Sequence, residues 1–166
     1  MIELLILIVL QEEKCTIYKI RQNIERKYGF FLNVSFGAIH PAVIKLEKQK
    51  FLSVKKSISS GGQRSSVYSI TNSGKAYFIE LMLADLPDNV LQADQVINIK
   101  LMYINNLDDE HRNAVKKTII DYLELKKILS MNLISNKIIF NDTELKFINY
   151  NIQRQSEFIE WVKSNY

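Results

Sequence analysis

A 166-residue chain with two histidines and one cysteine has few ways to do covalent chemistry. His40 and His111 stand far apart, with no Cys or Asp at ligand spacing, so no metal site is expected. Cys15 has no second cysteine to bond, which suits a reducing cytoplasm. An inert turn thiol is the expected role, ahead of a redox sensor. Asp108-Asp109-Glu110 resembles a catalytic acid cluster, but acids in a first helical turn simply oppose the positive end of the helix dipole. Gly61-Gly62 leads into no Gly-Lys-Ser/Thr pattern, so no phosphate-cradling loop is present. These residues frame no active site, and the chain reads as a non-enzyme without cofactor or metal.

Binding chemistry is another matter. Lys14 to Lys75 holds 12 Lys/Arg against two acids, Glu25 and Glu47, a net of +10, while the remaining residues hold 10 basic and 16 acidic side chains, a net of −6. A compact segment this basic is the electrostatic footprint of a nucleic-acid binder, because neutralising phosphates releases counterions. The alternative is a lysine-rich face that serves only solubility. Composition agrees with a globular, water-exposed chain, at 47% hydrophobic and 24% charged residues. The apolar run Leu4–Leu10 is far short of the ~20 residues that span a bilayer. No basic residue precedes it, so neither membrane insertion nor a signal peptide is expected.

The elements that would position such a binder centre on Ser35 to Leu52, S-F-G-A-I-H-P-A-V-I-K-L-E-K-Q-K-F-L. Ser35 can cap a helix, and Ile39, Ala42, Val43 and Leu46 fall three to four apart on one stripe. His40, Lys45 and Lys48 lie off that stripe. A helix presenting a hydroxyl, small residues and an imidazole at its N-terminal end suits a DNA major groove. Pro41 is anomalous, since within a helix it removes a hydrogen bond and crowds the carbonyl of Gly37.

The segment Ser35-Phe36-Gly37-Ala38-Ile39-His40-Pro41-Ala42-Val43-Ile44-Lys45-Leu46-Glu47 resembles the recognition helix of the PadR family of bacterial transcriptional regulators, S-P-G-T-[LI]-Y-P-A-L-[KR]-[KR]-L-E. The central proline is a habit of that family. Phe36 replaces the usual proline, His40 the usual tyrosine, and Ile44 a lysine or arginine, which removes one phosphate or base contact. Val67-Tyr68-Ser69-Ile70-Thr71-Asn72-Ser73-Gly74-Lys75 resembles the family's closing segment, Y-x-L-T-x-x-G-[KR]. The specific motifs cover residues 2–83; beyond them the likeness is one of layout, a helical tail with a late tryptophan.

Around that centre the chain reads as follows. Residues 2–10 form an apolar helix whose only charge is Glu3; all-round apolarity implies neighbours on several sides and hints at a partner chain. Thr16 caps a second helix with Ile17, Ile20, Ile24 and Tyr28 inward, and Gly29 ends it as a left-handed C-cap. Strands at Phe51–Ile58 and Ser66–Ile70 enclose the loop Ser59–Ser65, the wing of a winged helix. Its glycines permit close approach to a phosphate, and Arg64 would neutralise one or enter the minor groove. Thr71 caps a helix running to about Leu83. After Leu86-Pro87-Asp88 the pattern is helical throughout. Val90, Ile97, Leu101 and Ile104 share one face; Val115, Ile119, Tyr122, Leu123 and Leu129 point inward from a helix opened by Asp108. Asn141-Asp142 caps a last helix with two apolar stripes. One is Leu145, Ile148, Ile152, Ile159 and Val162; the other is Phe147, Tyr150, Phe158 and Trp161.

The fold expected is therefore mainly α with a small β wing (α+β): a winged helix-turn-helix DNA-binding domain over residues 1–85 and a helical dimerisation domain over 86–166. Ser35, Gly37, Ala38 and His40 are the candidates for base edges. Lys14, Tyr18, Lys19, Lys45 and Lys55, with Gly62, Gln63 and Arg64 of the wing, are the candidates for DNA backbone. Leu4, Leu7, Ile8, Phe147, Tyr150, Phe158 and Trp161 are candidates for a homodimer interface. The resemblance implies a cytoplasmic homodimeric repressor acting on double-stranded DNA at an inverted-repeat operator of the ATGT…ACAT kind. It also implies a small aromatic effector for some members of the family. A winged-helix module that docks an acidic protein partner is the alternative.

Overall fold

The computed structural model describes residues 1–32, 36–58, 64–135 and 140–166. Ser35, Gly62 and Gln63 lie outside the described residues. So do most of the wing loop and residues 136–139. Two compact units divide the chain, Met1–Ile99 and Lys100–Tyr166. They meet inside a helix rather than at the Leu86-Pro87 junction.

In the first unit, α1 (Ile2–Glu12) is followed by α2 (Ile17–Tyr28) and α3 (Ile39–Lys48). The strands β1 (Leu52–Ile58) and β2 (Arg64–Ile70) and the helix α4 (Asn72–Leu83) complete it, with most of α5 (Val90–Tyr103). Helices α2, α3 and α4 and strand β2 all pack against α1. Every residue from Leu4 to Leu10 is accordingly buried, which corrects the expectation for Leu4, Leu7 and Ile8. One chain supplies the cover assigned above to a second copy, so these three have no free surface for a dimer.

Local signals decide where the helices begin and end. The Thr16 side chain accepts from Lys19 N at 3.3 Å, satisfying one of the N–H groups that a helix start leaves without a partner. Gly29 closes α2 at φ −59°, ψ −18°, a right-handed conformation, so the expected left-handed cap is corrected. That cap occurs one helix later. Phe51 N donates to Leu46 O and Lys50 N to Glu47 O, the paired bonds of a Schellman motif, with Lys50 at φ 64° in the position that glycine usually takes.

The strands form an antiparallel pair running from Leu52↔Ile70 to Ile58↔Arg64. A third lane is a single bridge, in which Cys15 and Tyr68 exchange both backbone bonds at 3.2 and 2.9 Å. The thiol of Cys15 is buried, and that burial, with Glu13 nearby, pushes its pKa up to about 11, which suits an inert thiol. Thr71 caps α4, accepting from Gly74 N at 3.0 Å. In α5, Ile97 is buried as expected, whereas Val90, in its first turn, is exposed.

The second unit begins at Lys100 and contains the end of α5, where Leu101 and Ile104 are buried, then α6 (Asp109–Ser135) and α7 (Asp142–Asn165). Asp108 caps α6 through His111 N at 3.0 Å. Asn141 and Glu144 form a reciprocal capping box on α7. Lys116 Nζ near the start of α6 donates to Lys163 O near the end of α7, at 3.0 Å, so the two helices form an antiparallel hairpin. Its seam buries Val115, Ile119 and Leu123 against Ile159 and Val162. Leu129, expected inward, is exposed together with Leu125, Ile128 and Leu133. Two helices cover only the stripe between them, and the apolar surface of α6 is wider than that.

Candidate nucleic-acid interface

Helix α3 sits on the core through Ile39, Val43 and Leu46. Pro41, Ile44, Lys45 and Lys48 recur three to four apart on the opposite, exposed face, with His40 exposed at its edge. Phe36–Ala38 form a turn of 3-10 helix before α3, and this resolves the anomaly of Pro41. The α-helix begins at Ile39, which places Pro41 in its first turn, where N–H groups have no partner inside the helix. Gly37 is exposed and Ala38 half-buried at the leading end; Ala38 occupies the N-cap position without a side-chain bond.

Three carboxylates at or beyond the edges of the basic segment take up part of its charge. Lys27 pairs with Glu12, Lys19 with Glu13 at 3.5 Å, and Lys45 with Glu3 at 2.6 Å. The Lys19 pair is exposed on both sides, an arrangement that contributes little and yields readily to a phosphate. Among the described residues no ion pair holds Lys14, Lys48, Lys55, Lys56 or Lys75. Lys55 and Lys56 are exposed on β1, and Lys14 is exposed just before α2. Tyr18 is also exposed, its hydroxyl accepting from Gln22 Nε2 at 3.1 Å. Arg64 closes the hairpin opposite Ile58. The exposed face of α3 thus carries Pro41, Ile44, Lys45 and Lys48 with His40 at its edge, and further exposed lysines stand on β1 and just before α2. These groups can neutralise phosphates in several places while a short helix meets base edges.

Lys45 has a partner that the sequence did not announce. Its ammonium is tied to Glu3, a carboxylate with only 19% of its side chain exposed, and the tie joins α3 to α1. Tyr77 of α4 donates to the second oxygen of the same carboxylate at 2.7 Å, and its ring stacks on Phe51 at 4.2 Å and 11°. Neither Glu3 nor Tyr77 was among the sequence candidates. The signal available was that Glu3 is the only charge in an otherwise apolar helix, and such a charge needs a partner.

Burial pulls the Glu3 carboxyl upward, but the hydrogen bonds from Lys45 and Tyr77 outweigh it and hold the group below its ordinary 4.5. The bond to Glu3, helped by burial, pushes Tyr77 up to about 12. A carboxyl depressed on folding adds stability above its unfolded pKa, and that stability is lost as pH falls through the folded value. Wild-type protein is therefore expected to lose its advantage over Glu3→Gln as pH drops below 4.5. Urea midpoints at pH 6 and pH 3 check this; a constant gap between the two proteins would remove the charged network.

His111 lies in the first turn of α6 with its Nδ1 2.6 Å from Asp108 Oδ2, remote in sequence from the α3 surface. Among the described residues no helix is long and apolar enough to cross a membrane.

Residues 6–80 match the transcriptional regulator PadR-like family. Among solved structures, a Streptococcus mutans protein, smu.1604c, is 24% identical over 98% of this chain and 96% of its own, with a TM-score of 0.49. Bacillus subtilis PadR, solved in complex with operator DNA, is 17% identical over 98% of this chain and 95% of its own, at a TM-score of 0.47. A PadR family transcription regulator from hypervirulent Clostridium difficile is 26% identical over 46% of this chain and 78% of its own, at a TM-score of 0.41. No curated protein matches the sequence.

Proposed function

We propose, from the match of residues 6–80 to the transcriptional regulator PadR-like family, that the protein is a homodimeric repressor that reads an inverted-repeat operator. The observation that carries this reading is the exposed face of α3 together with the exposed lysines Lys14, Lys48, Lys55 and Lys56, which no ion pair holds among the described residues. In this account Gly37, Ala38 and His40, with Ser35, meet base edges. Lys14, Tyr18, Lys19 and Lys55, with Gly62, Gln63 and Arg64 of the wing, hold the phosphate backbone.

A second copy supplies reach. Two such helices related by a two-fold axis enter successive major grooves ~34 Å apart. The apolar surface left open on the second unit supports pairing there: Phe147, Tyr150 and Trp161 of α7 are 66%, 55% and 47% exposed, more apolar surface than an isolated hairpin ordinarily leaves in water. Phe158, half-buried and stacked on Trp161 at 5.9 Å, extends it. Flat aromatic compounds are the effector chemistry that such rings suit, and a thermal-shift screen with phenolic compounds tests this directly.

Selection of bound duplexes from a random pool at physiological salt tests the whole reading. One inverted motif should emerge; retention of every duplex and of polyanions alike would overturn it in favour of a basic face that docks an acidic protein. On the selected site, His40→Ala is expected to change base preference. Arg64→Ala should weaken all duplexes alike and flatten the salt dependence by about one unit. An unchanged slope would take Arg64 off the phosphates.

A further inference from the structure

We propose that Glu3 is a specificity-determining residue: it holds Lys45 away from phosphates and fixes the seat of α3, so that the grip on arbitrary duplexes stays weak. The inference rests on the DNA-binding reading above. Lys45 shares the exposed face of α3 with Pro41, Ile44 and Lys48, and its side chain is 57% exposed. A free lysine there would add one contact blind to sequence. Instead its Nζ stands 2.6 Å from Glu3 Oε1.

This pair differs from the exposed bridge of Lys19. The Glu3 carboxylate is largely covered, and its other oxygen accepts from Tyr77, whose ring is stacked on Phe51. Phe51 is anchored in turn, its carbonyl accepting from Thr71 N at 3.0 Å, while the Thr71 hydroxyl is shared between the carbonyls of Lys50 at 2.8 Å and Phe51 at 3.1 Å. Moving Lys45 to a phosphate would leave a covered carboxylate with Tyr77 alone, and half-partnered covered charges are unfavourable. Lys48, which no ion pair holds among the described residues, has no such restraint. The same tie fixes α3 on α1, and base contacts depend on that placement more than phosphate contacts do.

Salt titrations of wild type, Glu3→Gln, Lys45→Met and the double variant separate the outcomes, read on a random duplex and on the selected site. Glu3→Gln is expected to raise affinity for the random duplex about eightfold at 100 mM salt and to steepen its salt dependence by about 0.9, the signature of one added phosphate contact. The selected site should gain less, so discrimination narrows. Adding Lys45→Met to Glu3→Gln should return the slope to that of wild type.

Lys45→Met alone should leave the wild-type slope unchanged; a flattening by about one unit would show Lys45 already on a phosphate and overturn the proposal. An unchanged random-duplex slope in Glu3→Gln, with circular dichroism showing a folded protein, would overturn it too. Should Glu3→Gln fail to fold, the slope of Lys45→Met decides alone. A wild type that enriches no duplex would instead sink the functional reading, and this inference with it.

Discussion

Gly74→Ala is expected to destabilise the first unit by about 1–3 kcal/mol, the range for overpacking a filled site. Helix propensity argues the other way, since alanine inside a helix is favoured over glycine by about 1 kcal/mol. The geometry decides the sign. A Cβ on Gly74 would stand 2.2 Å from the carbonyl oxygen of Phe51 and 2.9 Å from Ile70 Cγ1. That carbonyl cannot move aside freely, because it already accepts from the backbone N–H of Thr71 at 3.0 Å. Helix α4 would have to lift from the strands, and α4 packs on α1. Urea denaturation followed by circular dichroism measures the loss; a stability equal to or above wild type would show that α4 slides without penalty. Because Phe51 also stacks on Tyr77, the variant should weaken DNA binding beyond its loss of folded protein.

The second large effect concerns pairing. Phe147→Glu with Trp161→Glu is expected to yield a monomer whose operator affinity falls by about 10²–10⁴-fold, the advantage that linking two binding events confers. The same change should leave the folded single chain within about 0.5 kcal/mol of wild type, as substitutions on an open surface generally do. Leu123→Ala, deleting a buried seam residue, should do the opposite locally and cost about 2–5 kcal/mol. Sedimentation equilibrium, a gel shift on the selected site and thermal melts read the three quantities separately. A double variant that remains dimeric would move the interface elsewhere on the molecule.

Most helix starts were legible because they depend on atoms a few positions apart. Thr16, Thr71 and Asn141 each bond an N–H two or three residues on, and short-range geometry of that kind follows from residue type and spacing. The inward stripes of α3 and the first half of α6 were legible for the same reason. Leu129 was not, because the 3.6-residue period marks which residues share a face and is silent on how far along that face a neighbour extends. Likewise the apolarity of α1 announced several neighbours, but whether they come from one chain or two depends on how α2, α3, α4 and β2 close around it.

By itself, the order of residues determined a winged helix with a basic front, a short helix seated on the core by one stripe, and a helical tail. Charge segregation, caps and periodicity are properties of neighbouring positions, and they survive any rearrangement of the whole. Only the tertiary structure decided that Lys45 pairs with Glu3, that Gly74 is required by a carbonyl 23 residues upstream, and that Leu4, Leu7 and Ile8 are already covered. Each of those depends on the distance between groups that the chain brings together from remote positions. Coulomb attraction, steric repulsion and burial all act through that distance, whatever the separation along the backbone.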